Sequence, residues 1–167
     1  MIRKILAPTD LSDLSKDGVR YALQMAAKLG AEVTAYHVVD FAEIERFGRD
    51  LERGAGTTAA PPRLTDVVER HEIALAQFLG DNFADLLPSV TVREIVEMGR
   101  PAESIVQRAV KDGSDLIVIS THGRRGLSHA LLGSVTEKVV RTASCPVLSI
   151  RPSDREKVMQ EAAGLLG

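Results

Sequence analysis

Two rhythms of apolar residues alternate along this chain. Residues 2–7 form a short apolar run that stops at Pro8-Thr9-Asp10, as a buried strand would. Val19, Ala22, Leu23, Ala26 and Leu29 then recur at helical spacing, and Gly30 stands where a helix C-cap belongs. A second strand is predicted over 32–39 (EVTAYHVV). Residues 40–63 break the pattern, with Gly48, Gly54, Gly56, Pro61 and Pro62 and only weak periodicity. They read as a long insertion, with a short helical piece over 44–51. Leu64, Val67, Val68, His71, Leu75, Phe78 and Leu79 restore a helical stripe. A third strand follows over 90–97, then a turn at Gly99 with Pro101 near the first helical position. Ile105, Val106, Ala109 and Val110 form the buried face of the next helix. Residues 115–120 (DLIVIS) are apolar almost throughout, as expected of a strand covered on both faces. A helix over 134–143 and a strand over 146–150 close the pattern.

Strict alternation of strands and helices with long crossovers predicts an α/β fold. The expected architecture is one Rossmann-like, doubly wound, five-stranded parallel sheet over residues 1–152, with helices on both faces. The expected strand order is 3-2-1-4-5. Residues 153–167 form a tail that either adds a last helix or frays. In that order the ends of the first and fourth strands are neighbours at the topological switch point, where such sheets bind ligands. Thr9-Asp10 occupies one end and Ser120-Thr121-His122-Gly123 the other.

Composition narrows the classes of partner. Hydrophobic residues make up 44% and charged residues 26% of the 167, an ordinary balance for one well-cored domain. A formal net charge of -2 offers no basic field for nucleic acid or an anionic membrane. Aromatics at 4% and the lack of Trp argue against base-stacking platforms. No apolar run approaches the roughly 20 residues that cross a bilayer. One cysteine, Cys145, excludes an intramolecular disulfide framework, so a cytoplasmic location is expected. Placed just before a strand, Cys145 reads most simply as a small buried hydrophobe.

The chemistry concentrates in residues 120–138, STHGRRGLSHALLGSVTEK. Gly123 and Gly126 follow a buried strand and let backbone N–H groups approach an anion. Gly133-Ser134 opens a helix whose free N–H groups and dipole attract negative charge. Ser120, Thr121 and Ser134 add hydroxyls, and Arg124 and Arg125 add positive charge suited to a polyphosphate. A plainer reading stands beside this one. Ser134 with Glu137 fits an S-x-x-E capping box, and the glycines fit a tight turn. Asp10 likewise fits an N-cap of the first helix. His122 is the tempting catalytic residue, but a lone His in such a loop orients or packs more often than it transfers protons. No catalytic residue is therefore assigned. His37, His71, His129 and Cys145 share no metal-ligand spacing, and no metal site is expected.

Ile119-Ser120-x-x-Gly123, nine further residues, then Gly133-Ser134 resembles the ATP-binding signature of the universal stress protein family, G-x2-G-x9-G-[ST]. The resemblance runs through KILAPTDLS (4–12), HVVD (37–40), GRPAESIV (99–106), DLIVISTHGRRGL (115–127) and LLGSVTEKVVRTASCPVLSIRP (131–152). One position departs: Ser120 replaces the first glycine of the signature, adding a Cβ where the backbone should pass close to the ligand. The resemblance implies an ATP (or ADP or AMP) site, with Mg2+ arriving on the phosphates. It implies Pro8, Thr9 and Asp10 near the adenosine and the Val38 backbone on the adenine. It implies Ile119, Ser120, Thr121, His122, Gly123, Arg124, Arg125 and Gly126 around ribose and phosphates. Gly133, Ser134, Val135 and Thr136 would close on the phosphates.

The expected function is that of a nucleotide-occupied regulatory protein acting through a protein partner the sequence does not name. A slow ATP hydrolase or nucleotidyl transferase, and a nucleotide-free member of the family, are the alternatives. A phospho-acceptor receiver domain fits poorly, because the third strand ends Glu97-Met98-Gly99 without the required Asp. The fifth strand would lie at a sheet edge with Val147, Leu148 and Ile150. Such an edge needs cover. A two-fold dimer pairing residues 146–150 of each subunit would supply it, and the resemblance implies that arrangement.

Overall fold

A computed structural model describes residues 1–42, 44–45, 63–121 and 133–151. In chain order the elements are β1 (Lys4–Thr9), a 3-10 turn (Asp13–Ser15), α1 (Lys16–Leu29), β2 (Glu32–Asp40) and α2 (Leu64–Phe83). A second 3-10 turn (Leu87–Ser89), β3 (Val92–Gly99), α3 (Pro101–Asp112), β4 (Leu116–Ser120), α4 (Ser134–Thr142) and β5 (Val147–Ile150) follow. The sheet is five-stranded in the order β3-β2-β1-β4-β5, and every pairing is parallel. This is the predicted topology.

Each strand buries alternate residues on opposite faces, so the sheet has two cores. Ile5, Ala7, Val33, Ala35 and Val118 face α1 and α2, where Leu23, Leu75, Phe78, Leu79 and Phe83 complete one cluster. Leu6, Tyr36, Ile117 and Ile119 face α3 and α4, where Ile105, Ala109 and Val139 complete the other. The apolar run of β4 thus serves both faces at once. Gly30 and Gly113 end α1 and α3 in left-handed geometry, with φ of 65° and 62°, which glycine adopts without a Cβ clash.

Several boundaries shift from the expected ones for identifiable reasons. β1 starts at Lys4 rather than residue 2 and continues through Pro8 to Thr9. Its pairing with β4 covers only Ile5↔Leu116 and Leu6↔Ile117. The ladder stops where Pro8 has no N–H to extend it. β3 begins at Val92 because Pro88 opens a 3-10 turn just before it. Asp115 is held out of β4 by its side chain, which accepts the backbone N–H groups of Arg3 at 2.7 Å and Lys4 at 3.0 Å. The predicted insertion begins with Asp40 still in β2 and with Phe41, Ala42, Ile44 and Glu45 helical. Its residues 43 and 46–62 lie outside the described residues, as does the tail over 152–167. Among the described residues no helix is long and apolar enough to cross a membrane.

Candidate functional site

Parallel order places the ends of β1 and β4 side by side, with the starts of α1 and α4 above them. The turn out of β1 is tied together by its own polar groups. Leu11 N–H donates to Thr9 Oγ1 at 3.0 Å, and Thr9 Oγ1 lies 2.8 Å from Ser15 Oγ. Ser15 Oγ donates to the Ser12 carbonyl at 2.8 Å. Asp10 Oδ1 accepts from Ser12 N at 3.1 Å and from Ser12 Oγ at 2.5 Å. Asp10 therefore closes the turn at Ser12 and is not the N-cap of α1, a place held by Ser15. Leu11 takes the left-handed conformation with φ of 63°, a strain of about 1–2 kcal/mol that these bonds hold in place.

The end of β4 is anchored on three sides. Ser120 Oγ accepts Gly18 N–H at 3.0 Å, and the Ser120 carbonyl accepts Thr136 Oγ1 at 2.8 Å. Thr121 N donates to the Ile150 carbonyl at 2.8 Å, and the Thr121 carbonyl accepts Gly133 N at 2.7 Å. Gly133 packs closely there: a Cβ would lie 3.0 Å from the Thr121 oxygen, which would have to give by a few tenths of an ångström to admit it.

The expected capping box at the start of α4 does not form. Gly133 is the N-cap, and among the described residues no side chain caps this end. Ser134 is already the first helical residue, so Glu137 stands one place too far along to reach back. Its carboxylate instead meets Arg141 at 3.4 Å. Among the described residues nothing accepts from the backbone N–H groups of Ser134, Val135 and Thr136. These are the orphan donors that a helix start offers to an anion.

The fold thus brings together Pro8, Thr9, Asp10, Ile119, Ser120, Thr121, Gly133, Ser134, Val135 and Thr136. Val38 sits one strand outward on β2, next to His37, which pairs in register with Thr9. His122, Gly123, Arg124, Arg125 and Gly126 lie outside the described residues.

Three features were not read from sequence. Ser15 carries the turn's hydrogen bonds, and Gly18 gives β4 its close approach to α1. His37 Nδ1 lies 2.9 Å from the Thr9 carbonyl, and its Nε2 lies 2.9 Å from His71 Nδ1 on α2. The signal for Gly18 was present: a glycine within a helical stripe marks a packing constraint. The histidine contact joins α2 to β2, which no local spacing encodes. Among the described residues no group of three or more His, Cys, Asp or Glu could hold a metal ion. Glu97 is bound on the sheet face, where Tyr36 Oη donates to it at 2.7 Å and Arg108 pairs with it. Burial pushes the half-buried Cys145 thiol up, so it stays protonated beside the second core.

The sequence profile of the universal stress protein family matches residues 1–151. Universal stress protein MJ0531 of Methanocaldococcus jannaschii is 32% identical over 156 residues, 93% of this chain and 86% of that protein. Universal stress protein MJ0577 of the same organism is 30% identical over 160 residues, 90% of this chain and 96% of that one. Its solved structure matches with a TM-score of 0.68 and 29% identity, covering 92% of this chain and 99% of that chain. A universal stress protein solved in complex with cAMP shares the fold, with a TM-score of 0.67 at 22% identity, covering 91% of this chain and 99% of that chain.

Proposed function

The chain belongs to the universal stress protein family, and from that premise we propose that it binds an adenine nucleotide, ATP before ADP or AMP, as a regulatory signal. The observation that carries this reading is the uncapped start of α4. Among the described residues, Gly133 leaves the N–H groups of Ser134, Val135 and Thr136 without acceptors at the switch point of the sheet. Three convergent N–H groups with the positive end of a helix dipole behind them suit a phosphate. Across the crevice, Thr9, Asp10 and the Val38 backbone would flank the adenosine. His122, Gly123, Arg124, Arg125 and Gly126 supply the chemistry of a phosphate loop, with Ile119, Ser120 and Thr121 leading into it. The same fold holds cAMP in another protein of this family. Mg2+ would accompany the phosphates rather than occupy a protein site of its own.

The readout in this proposal is nucleotide occupancy, passed to a protein partner in the cytoplasm. The unit is a two-fold dimer. Among the described residues β5 pairs with β4 alone, leaving an outer edge that carries half-buried Val147, Leu148 and Ile150. Mass spectrometry of small molecules released from the purified native protein tests the nucleotide directly, and an adenine nucleotide is expected. Absence of released nucleotide, with no affinity for ATP, ADP or AMP up to about 1 mM, overturns the reading. Phosphate release near the roughly 10 per second of ordinary enzymes would mark a hydrolase instead. A monomer by size measurement at micromolar concentration would remove the dimer.

A further inference from the structure

Ser120 stands where the family signature has its first glycine, yet its side chain is turned to α1. Its Oγ accepts the N–H of Gly18 across 102 positions of sequence. Gly18 is the third residue of α1, inside a helix where glycine is disfavoured against alanine. The close approach explains it. A Cβ at Gly18 would lie 2.7 Å from Ser120 Oγ, 2.8 Å from Ser120 N and 3.3 Å from the Ile119 carbonyl carbon. Contacts that short force the helix off the strand.

The bond also fills a gap in the capping of α1. Ser15 is its N-cap but makes no side-chain cap bond, because its hydroxyl is held by Thr9 and Ser12. Ser120 therefore caps the third N–H of the helix from the neighbouring strand, doing what an N-cap side chain does locally. Through its carbonyl the same residue holds Thr136 in the first turn of α4. Ser120 is thus bonded to both helix starts that border the crevice.

We propose that Gly18 and Ser120 form a latch, a pair of positioning residues that fixes the first turn of α1 against the end of β4. The latch sets the spacing between Thr9-Asp10 on one side and the open start of α4 on the other. It rests on the nucleotide reading above for its role in binding. On this account the serine is not a weakened signature glycine. Restoring glycine there loosens the site rather than improving it.

The test is a double-mutant cycle in the full chain with Ser120→Gly, Ser120→Ala, Gly18→Ala and Gly18→Ala/Ser120→Gly. Thermal midpoints are read for all variants, and ATP affinity is read by calorimetry well below them. Ser120→Ala lowers the midpoint by about 2–4 °C, the loss of one cap in a chain of this length. Ser120→Ala and Ser120→Gly each weaken ATP binding by roughly two- to tenfold, the equivalent of one hydrogen bond. Gly18→Ala lowers the midpoint, although alanine is the better helix former. Adding Ser120→Gly to Gly18→Ala lowers it no further, since the bond is already broken and the shortest contact is relieved.

A tighter ATP complex with Ser120→Gly, or a raised midpoint with Gly18→Ala, overturns the latch. Additive losses around the cycle overturn it as well, whatever ATP does. If the wild-type chain takes up no ATP, the nucleotide reading falls and the latch's role in binding falls with it. The cycle of midpoints still decides the contact itself.

Discussion

Two helices start at the same end of the sheet, on its opposite faces, and their first turns are built in opposite ways. The start of α1 is closed. Thr9, Ser12, Ser15 and Asp10 satisfy one another, and Ser120 takes up the Gly18 N–H from the next strand. The start of α4 is open. Gly133 offers no side chain, and among the described residues nothing accepts from the N–H groups of Ser134, Val135 and Thr136. Each helix brings the same dipole and the same orphan donors to the crevice. At the start of α1 the protein itself takes up such a donor; in the proposed function the donors at the start of α4 serve a ligand. On that reading, a helix N-terminus becomes a binding element by what the fold withholds from it.

The largest expected effect comes from closing the open end. Ser134→Glu places a carboxylate at the exposed first residue of α4. Stability holds or rises by up to about 1 kcal/mol through the dipole. ATP affinity falls at least about tenfold, because the new charge competes with phosphate for the same N–H groups. Calorimetry and thermal unfolding on one preparation check both signs. Opening the closed end should show the reverse. Ser15→Ala removes a buried hydroxyl from the Thr9–Ser15–Ser12 chain and costs about 1–3 kcal/mol of stability by denaturant unfolding. ATP affinity should change by no more than about threefold. A Ser15→Ala loss of binding larger than that of Ser134→Glu would reverse the assignment of the two ends.

Thr136→Val separates the hydroxyl of α4 from its N–H. The hydroxyl serves the buried Ser120 carbonyl, so the variant loses about 1 kcal/mol of stability. The N–H remains, and ATP affinity stays within about twofold. The smallest effect belongs to a control at the other end of β4. The backbone N–H groups of Arg3 and then Lys4 hold the Asp115 carboxyl below its ordinary range. A folded-state value below the unfolded one adds stability that is present above about pH 3.9 and lost as pH falls through the folded value. The stability gap between wild type and Asp115→Asn should therefore be constant near neutrality and shrink below that pH. ATP binding at neutral pH should be unchanged.

Element types were legible in the sequence because they depend on local signals, whereas the strand order was an expectation that the alternation of elements alone does not dictate. The continuous apolar run of residues 115–120 marked a strand covered on two faces, and β4 does serve both cores. Gly30 marked the end of α1, and Pro101 the start of α3. What escaped were contacts between distant segments. Ser134 and Glu137 have capping-box spacing, and only the placement of Gly133 in the cap shows that the box is one residue out of phase. Asp10 is a short-range polar residue before a helix, and only the 3-10 turn over Asp13–Ser15 moves it away from the cap. His37 and His71 meet because α2 packs over β2, a tertiary fact with no local spacing. Gly18 went unread, because its reason lies in Ser120 at the end of β4. Strand boundaries near Pro8 and Pro88 moved because proline acts through the missing N–H and fixed φ rather than through polarity.

The most direct test of the difference between the two helix starts is an amide NMR titration of the labelled full-length chain with ATP. The N–H signals of Ser134, Val135 and Thr136 should shift in a saturable manner, while that of Gly18, already bonded to Ser120, stays nearly still. Shifts at Gly18 and the first turn of α1 without shifts in α4, or no shifts anywhere up to about 1 mM ATP, would contradict the account.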